Sequence, residues 1–261
     1  MPFLSPNESL SRPPRRIVSL VPSQTELLHS LGLGPEVVGV TRFCVHPAGW
    51  KESKTVVGGT KNVNVERVRG LAPALVIANK EENDREQVDA IAAFAPVVVT
   101  DVADVPGALA MIRDVGRLVH RAPEAGRLAD EIKAGFEALP DVPPLRALYL
   151  IWRDPWMSVG GDTFIADVMA RAGLVSVTRE QTRYPSLTDD ELASLAPEVV
   201  LLSSEPYPFA DKHIGEIQSL VPGAQVALVD GEAFSWYGSR LRITPGALRD
   251  LRHRLEHRLA S

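Results

Sequence analysis

The chain carries nearly the same segment twice, and this repetition constrains its fold more than any other feature. Residues 66–78 read ERVRGLAPALVIA, and residues 190–202 read DELASLAPEVVLL. The segment RIVSL at 16–20 likewise returns as RALYL at 146–150, so order and spacing are nearly kept over the length of a domain. Proline between a helix and a buried strand is a common joint, and alone it would prove nothing. Because both segments agree, we predict two related lobes.

Short apolar runs without polar alternation follow one another in both lobes, as in strands covered on both faces of a parallel sheet. They lie at 36–40, 74–78, 96–100, 146–152, 198–203 and 225–230. Helices at 64–71 and 84–93 fit between strands of the first lobe. The alternation predicts an α/β fold made of two Rossmann-like lobes with mostly parallel sheets.

The apolar spacing changes to a helical period between the lobes. Leucines and other apolar residues recur every three or four positions up to Leu139, and Pro123 removes one backbone donor on the way. We predict one long backbone helix, kinked at that proline. The predicted domains are an N-terminal α/β lobe at 16-102, a connecting helix at 103-143, and a C-terminal α/β lobe with a terminal helix at 144-261. A stiff connector predicts a ligand cleft between the lobes, at the carboxyl ends of the strands.

Composition and motif content exclude several classes of function. The net charge is −5 and no basic run is long enough to follow a phosphate backbone, so nucleic acid is not an expected partner. The motifs G-x-S-x-G, H-E-x-x-H and the P-loop are absent, and we predict that the chain is not an enzyme. The start lacks the apolar run of about 7 to 15 residues of a signal peptide, which predicts a cytoplasmic location on the sequence as given. We separately expect the chain to be a monomer.

Four segments carry a resemblance to a known family: RIVSLVPSQTELLHSLG, NVERVRGLAPALVIA, TRYPSLTDDELASLAPEVVLL and SWYGSRLRI. From Arg16 to about Leu259 the chain resembles the class III periplasmic binding proteins, which are substrate-binding proteins of ABC importers with a helical backbone. Within that family it is most similar to the cobalamin-binding branch. The resemblance implies that one ligand, cobalamin or another corrinoid, is bound and delivered to an ABC permease dimer. It implies no required cofactor, and a periplasmic or other extracytoplasmic location.

Candidate ligand contacts lie on loops that follow the strands. The resemblance implies ring contacts at Phe43, Tyr184, Trp236 and Tyr237, and the loop after the first strand of the second lobe adds Trp152 and Trp156. The polar candidates are Thr60, Lys61, Asn79, Lys80 and Arg240. Aromatic rings suit a flat macrocycle, although each ring singly could equally belong to the core. Thr60 and Asn79 stand where the resemblance implies tryptophans. The first-lobe wall is therefore polar and would also suit a smaller ligand.

Glu66 and Asp190 occupy equivalent positions in the two copies of the repeat. The resemblance implies that one acid on each lobe pairs with arginines of the permease, and these two match. An acid in the first helical turn also complements the helix dipole, which leaves a purely structural reading open. Asp189 and Glu191 flank the second acid, so the sequence does not decide which of the three points outward.

Cys44 and His46 stand two residues apart in RFCVHP and could offer sulfur and nitrogen to a metal. Two ligands do not make a site, and a packed cysteine beside a hydrogen-bonded histidine explains the pattern equally. The alternatives to a corrinoid binder are therefore a metal-ion or haem or siderophore receptor and, third, an intracellular enzyme or sensor on the same scaffold.

Overall fold

The computed structural model describes residues 3, 4, 8 and 10–259. Its contacts divide the chain into two compact units. The N-terminal unit comprises Met1–Val102, Pro106–Lys133 and Trp236–Arg242, and the C-terminal unit comprises Ala103–Val105, Ala134–Ser235 and Ile243–Ser261. The boundaries at 16-102, 103-143 and 144-261 stay a prediction. One segment predicted within the C-terminal lobe, Trp236–Arg242, contacts the N-terminal unit instead.

The N-terminal unit is built on a parallel sheet. Its strands are β1 (Phe3–Leu4), β2 (Ile17–Ser19), β3 (Val37–Val40), β4 (Thr55–Val56), β5 (Leu75–Asn79) and β6 (Val97–Thr100), in the order β1-β6-β5-β2-β3-β4. Its helices are α1 (Pro22–Ser30), α2 (Trp50–Ser53), α3 (Val65–Gly70) and α4 (Arg85–Ala92). Every residue of β2 and β5 is buried, as expected for strands covered on both faces.

The C-terminal unit repeats this design. Its strands are β7 (Leu145–Leu150), β8 (Trp156–Met157), β9 (Leu174–Ser176), β10 (Ser186–Leu187), β11 (Val199–Ser203) and β12 (Gln225–Val229). Four of them form the parallel sheet β12-β11-β7-β9, and β8 pairs antiparallel with β10. Its helices are α7 (Phe164–Arg171), α8 (Asp189–Ser194), α9 (Ile214–Leu220), α10 (Glu232–Ser235) and α11 (Thr244–Leu259). The prediction of an α/β fold with two mostly parallel sheets is confirmed.

The repeat extends to details of the backbone. The strand orders β6-β5-β2-β3 and β12-β11-β7-β9 are the same. Ala72 and Ala196 both adopt the left-handed region, with φ of 43° and 44°, which non-glycine residues rarely do. Arg16 and Arg146 each donate to the carbonyl oxygen of the leucine before that alanine, at 2.6 Å in both units. The repeated Leu-Ala-Pro therefore forms the same helix-to-strand connection in both units.

The predicted single backbone helix is two helices, α5 (Val105–Leu118) and α6 (Ala122–Glu137). His120 breaks the helix with φ of 57°, and Arg121 N–H donates to the Gly116 carbonyl oxygen at 2.7 Å, which is how many helices end. Pro123 lies in the first turn of α6, where its missing N–H leaves no bond unmade. The connecting segment is therefore helical, but the prediction of an uninterrupted helix kinked at the proline is wrong.

Both parallel sheets have a point where the strand order reverses, and α/β sheets bind ligands beyond the carboxyl ends of the strands there. This point lies between β2 and β5 in one unit and between β7 and β11 in the other. The loops that follow β5, β7 and β11 are thus the first places to look for a site. No helix of the described residues is both long and apolar enough to span a bilayer.

Candidate functional site

The loop after β5 is shaped by a buried amide. Asn79 is 2% exposed, and its Nδ2 donates to the carbonyl oxygen and the hydroxyl of Thr100 at 3.0 and 3.2 Å. Its Oδ1 accepts from the backbone N–H groups of Glu81 and Glu82 at 2.8 and 3.2 Å. All the hydrogen-bonding capacity of the side chain is used within the protein. Asn79, predicted as a ligand contact, therefore organises the loop that carries the glutamates.

A second buried amide joins three loops of the same unit. Asn83 accepts from the Asn79 backbone N–H at 2.8 Å and donates to the carbonyl oxygens of Leu20 and Thr60 at 3.2 and 3.0 Å. It thereby holds together the segments that follow β2, β4 and β5. Thr60, another predicted contact, is half-buried in this arrangement. The polar wall is consequently rigid before any ligand arrives.

The rim of this wall is charged and exposed. Lys61 donates to the carbonyl oxygen of Glu81 at 2.5 Å, and Lys80 pairs with Asp101 at 2.5 Å. The Lys80 side chain keeps 69% of its surface exposed. Both lysines follow strands at the carboxyl end of the sheet and are exposed cationic donors.

Trp236–Arg242 adds two polar anchors to the N-terminal unit. The buried Tyr237 hydroxyl donates to Glu82 Oε1 at 2.5 Å. Burial, and then the negative charge of Glu82, raise the pKa of Tyr237 well above its ordinary value. The phenol therefore stays neutral and holds the glutamate in place.

Arg240 makes the second anchor. Its Nε and Nη2 donate to the two carboxylate oxygens of Glu26 on α1 at 3.0 and 2.9 Å. The guanidinium lies 5.0 Å from the ring centroid of Trp236, and His46 contacts the same ring edge-on at 5.4 Å. Trp236 is only 7% exposed. Arg240 and Trp236 were predicted as ligand contacts, and these interactions hold the segment Trp236–Arg242 in the N-terminal unit.

Cys44 is packed in the core of the N-terminal unit. It is fully buried, with the hydroxyls of Thr25 and Thr41 at 3.1 and 3.3 Å from its sulfur. Burial raises the pKa of the thiol, which disfavours the thiolate that metals need. Within the described part of the chain, no three His, Cys, Asp or Glu residues are grouped to hold a metal ion. The packing alternative explains Cys44 and His46 without a metal.

Phe43 is an exposed aromatic residue of the N-terminal unit, with 53% of its surface accessible. It lies in the loop after β3, and its ring reaches Gly59 in the loop after β4. A Cβ at Gly59 would stand 3.2 Å from the Phe43 ring, so the glycine leaves room for it. An exposed ring at this edge of the sheet is available to a ligand.

The C-terminal unit presents an aromatic cluster at its switch point, made by Trp152, Trp156, Tyr207 and Phe209. Trp152 is 41% exposed, and its ring centroid lies 5.7 Å from that of Tyr207. Tyr207 contacts Phe209 at 4.7 Å, and Phe209 stacks on Trp156 at 6.4 Å. Trp156 is 7% exposed and donates from Nε1 to Asp189 at 2.7 Å. Trp152 and Tyr207 therefore form the accessible face, and Trp156 its support.

Tyr207 and Phe209 were not among the predicted contacts. They lie in SSEPYPF, directly after β11, where the prolines indicate a turn. His213 orients this turn because its Nδ1 accepts from the Ala210 N–H at 2.9 Å and its Nε2 lies 3.3 Å from the Tyr207 hydroxyl. The signal that could have found them is position, since β11 is one of the two strands at the switch point.

Tyr184 lies outside this cluster in the part of the structure described. It precedes β10, is 36% exposed, and has the guanidinium of Arg183 at 5.5 Å from its ring centroid. The structure therefore presents Tyr184 at a surface loop of the C-terminal unit.

Glu66 and Asp190 have the same place in two equivalent helices. Each is the second residue of a six-residue helix, after the N-cap residues Asn64 and Thr188. Both caps accept from the third helical N–H, at 2.9 Å in α3 and 3.2 Å in α8. Glu66 is exposed over 79% of its side chain and makes a 3.3 Å pair with Arg69.

The other two acids of α8 already have structural roles. Asp189 accepts from the indole of Trp156, and Glu191 accepts from the backbone N–H and hydroxyl of Thr188 at 2.8 and 3.0 Å. These hydrogen bonds lower the pKa of Glu191. Asp190 is exposed and has neither role. It is the acid of the three that is available to a partner.

Comparison with known proteins assigns the chain to one protein family. The chain matches the model of the periplasmic binding protein family over residues 17–220. It is 28% identical over 206 residues to the uncharacterized ABC transporter substrate-binding lipoprotein YvrC of Bacillus subtilis (strain 168), covering 74% of this chain and 65% of YvrC. It is 24% identical over 197 residues to the vitamin B12-binding protein of Yersinia pestis (strain Pestoides F), covering 72% and 69%. This chain thus spans just under two thirds of YvrC.

Solved structures share the fold over nearly the whole chain. The periplasmic heme-binding protein RhuT from Roseiflexus sp. RS-1 superposes with a TM-score of 0.78 at 23% identity, covering 93% of this chain and 98% of RhuT. The periplasmic vitamin B12 binding protein BtuF of Vibrio cholerae gives a TM-score of 0.77 at 19% identity, covering 94% and 98%. The names of these proteins describe binding of a ligand, and none describes an enzyme.

Proposed function

The chain belongs to the periplasmic binding protein family, and we propose that it is the substrate-binding component of an ABC-type importer whose ligand is a corrinoid or a related metal chelate. The names of the similar curated proteins support this reading, since one is an ABC transporter substrate-binding lipoprotein and another binds vitamin B12. The proposed role requires that the protein acts outside the cytoplasm.

The observation that carries the ligand class is the aromatic face of the C-terminal unit, where Trp152 is 41% exposed and Tyr207 is half-buried. Trp152 and Tyr207 lie where open α/β sheets bind ligands, and large rings bury roughly 150–250 Å² each at little entropic cost. Tyr207 is oriented by His213, whose Nε2 lies 3.3 Å from its hydroxyl, and by Phe209, which stacks on Trp156. Such a face suits the flat ring of a corrinoid better than it suits a bare ion.

The polar loop at 79–83 supports the same class. A corrinoid carries amide and phosphate groups around its ring, and these need hydrogen-bond donors and cations. Lys61 and Lys80 offer them on two neighbouring loops that Asn83 holds together, which lowers the entropy lost on binding.

The ligand is tested by titrating the purified chain with hydroxocobalamin and following the visible absorption spectrum. We expect a saturable spectral change with a Kd of about 1 μM or below. Trp152→Ala should weaken binding at least tenfold, about 1.4 kcal/mol, because it removes the accessible ring. Phe3→Ala is the matched control. Phe3 is exposed to a similar extent, 45%, but it lies on β1 and is not part of the aromatic face.

Haemin is the competing ligand in the same experiment, because haem-binding proteins share this fold. Saturable binding of haemin with no response to hydroxocobalamin would replace the corrinoid by the haem alternative. Equal losses of affinity in the Trp152 and Phe3 variants would remove the aromatic face from the site.

We also propose that Glu66 and Asp190 dock the chain onto the two halves of a permease. Two exposed acids at equivalent positions of a repeated fold match a partner built from two similar subunits. The alternative is that each acid only complements its helix dipole. Glu86 separates the two readings, because it is the second residue of α4 and is also exposed.

The docking test measures ATP hydrolysis by the cognate permease in nanodiscs, stimulated by the loaded binding protein. Glu66→Arg and Asp190→Arg should each abolish the stimulation while leaving ligand affinity unchanged, because they reverse a contact charge outside the binding face. Glu86→Arg should stimulate like the wild type. Full stimulation by both single variants, or an equal loss in the Glu86 variant, would refute docking by these acids.

A further inference from the structure

The loop after β5 carries two adjacent acids, and one of them is held in place. The backbone N–H groups of Glu81 and Glu82 both donate to Asn79 Oδ1, which fixes the start of the loop. The Glu82 carboxylate then accepts a hydrogen bond of 2.5 Å from the hydroxyl of Tyr237, which is 7% exposed. Glu82 itself is half-buried, so part of its surface remains accessible. Its carboxylate therefore has a defined position at the carboxyl end of the sheet.

The charge of Glu82 acts on two buried groups nearby. After burial, it is the largest cause that raises the pKa of the Tyr237 phenol, and the charge of Glu81 adds to this effect. It also raises the pKa of the Cys44 thiol, for which burial is again the main cause. Both groups become anions when they lose a proton, so the raised pKa values mean that a second negative charge is disfavoured near Glu82.

The cations of the same wall offset this charge only in part. Lys80 is already paired with Asp101 at 2.5 Å, and 69% of its side chain is exposed. Lys61 is also exposed, and its ammonium group donates to the carbonyl oxygen of Glu81. Solvent and salt screen exposed charges more strongly than half-buried ones. A ligand group beside Glu82 therefore meets a fixed negative charge, with the lysines at the rim.

Macrocyclic metal chelates differ in the groups around their rings. A corrinoid carries primary amides, whose N–H groups donate hydrogen bonds, whereas haem carries propionate carboxylates, which only accept them. A fixed carboxylate forms a charge-assisted hydrogen bond with an amide N–H. A propionate at the same point would meet a like charge, and like charges in contact reduce the affinity for the wrong ligand.

We propose that Glu82 is a specificity-determining residue of the ligand site, which favours a macrocycle with amide groups over one with carboxylates. This inference rests on the proposed function, because it requires that the loop at 79–83 contacts the ligand. An amide N–H of the ligand donates to the Glu82 carboxylate. Tyr237 is the positioning residue, because its hydroxyl keeps the carboxylate from turning away when a ligand of like charge approaches.

The test measures the affinity of the full chain for hydroxocobalamin and, separately, for haemin, by titrations followed by visible absorption. Glu82→Gln removes the charge but keeps the shape of the side chain and an oxygen that can accept from Tyr237. We expect this variant to bind haemin at least tenfold more tightly than the wild type does, about 1.4 kcal/mol, and hydroxocobalamin no more tightly. Glu86→Gln removes an equal charge from an exposed position on α4, and as the matched control it should bind both ligands like the wild type.

Tyr237→Phe tests the positioning role, because it keeps the charge of Glu82 but removes the hydrogen bond that fixes the carboxylate. Its haemin affinity should rise, though less than that of Glu82→Gln. A loss of structure alone would lower the affinity for both ligands, so a gain for haemin separates specificity from stability. An unchanged or lower haemin affinity in Tyr237→Phe would refute the positioning role.

The same titrations separate this proposal from the proposed function. An unchanged or lower haemin affinity in Glu82→Gln, or an equal rise in Glu86→Gln, would overturn the role of Glu82 even if hydroxocobalamin binds. Absence of hydroxocobalamin binding, together with a haemin affinity that rises in Glu82→Gln and not in Glu86→Gln, would refute the corrinoid as the ligand and support the role of Glu82.

Discussion

Replacing Arg240 by Met tests how the segment Trp236–Arg242 is held in the N-terminal unit. The substitution removes two hydrogen bonds to Glu26 and the cation–π contact with Trp236. The side chains of Arg240 and Glu26 are only 12% and 20% exposed, so solvent screens their interaction little. A charged hydrogen bond contributes about 1.5–3 kcal/mol and an isolated surface pair under about 1 kcal/mol. We expect the substitution to lower the free energy of unfolding by about 2–3 kcal/mol. This loss lies between the loss expected for a surface ion pair and that for a fully buried one.

The assay is urea unfolding followed by tryptophan fluorescence, since Trp236 lies beneath the guanidinium. A double-mutant cycle with Glu26→Gln should give a coupling energy of about 1–2 kcal/mol. Arg242→Met is the matched control in the same segment, because Arg242 meets Glu131 only at 4.0 Å with both side chains half-exposed, and it should cost under about 0.5 kcal/mol. A coupling energy near zero, or equal losses for Arg240 and Arg242, would refute the reasoning.

Three further outcomes follow from the structure. The pKa of Tyr237 is higher in the folded chain than in the unfolded chain, so its contribution to stability is present below about pH 10 and is lost as the pH rises further. The free energy of unfolding, measured by urea titration, should therefore fall at alkaline pH, and Tyr237→Phe should reduce this fall. Tyr184→Phe, at an exposed tyrosine, should not change it. Cys44 should react with a thiol reagent only on unfolding, and fast labelling of the native chain would contradict its burial. Asn64→Ala and Thr188→Ala should each cost about 1 kcal/mol in chemical denaturation, and negligible losses at both would show that these caps do not matter.

The fold was predictable because its signals are local and repeated. The runs at 74–78 and 198–203 match β5 and β11 with ends shifted by at most one residue. The comparison with known families confirms the predicted resemblance to ABC importer binding proteins. The break between α5 and α6 was missed because the left-handed residue is His120, and a histidine there gives no sequence signal comparable to a glycine.

The site was less predictable because its contacts are distant in sequence. Nothing in the neighbourhood of Arg240 indicates that it pairs with Glu26, more than two hundred residues earlier. Tyr207 was overlooked because a proline-rich turn resembles a surface loop until the sheet order is known. Which acid of α8 is available to a partner likewise depends on hydrogen bonds to the indole of Trp156 and to the N-cap residue Thr188. Such side-chain partners are determined by tertiary packing, which the local sequence does not indicate.

The proposed function stands or falls with the binding of a corrinoid. Native mass spectrometry decides it, with the purified chain incubated with equal amounts of hydroxocobalamin, haemin and a ferric siderophore. We expect one adduct per chain with the mass of the corrinoid, and its loss in Trp152→Ala but not in Phe3→Ala. An adduct with haem or the iron chelate alone, or an unliganded chain, would rule out the corrinoid as the ligand.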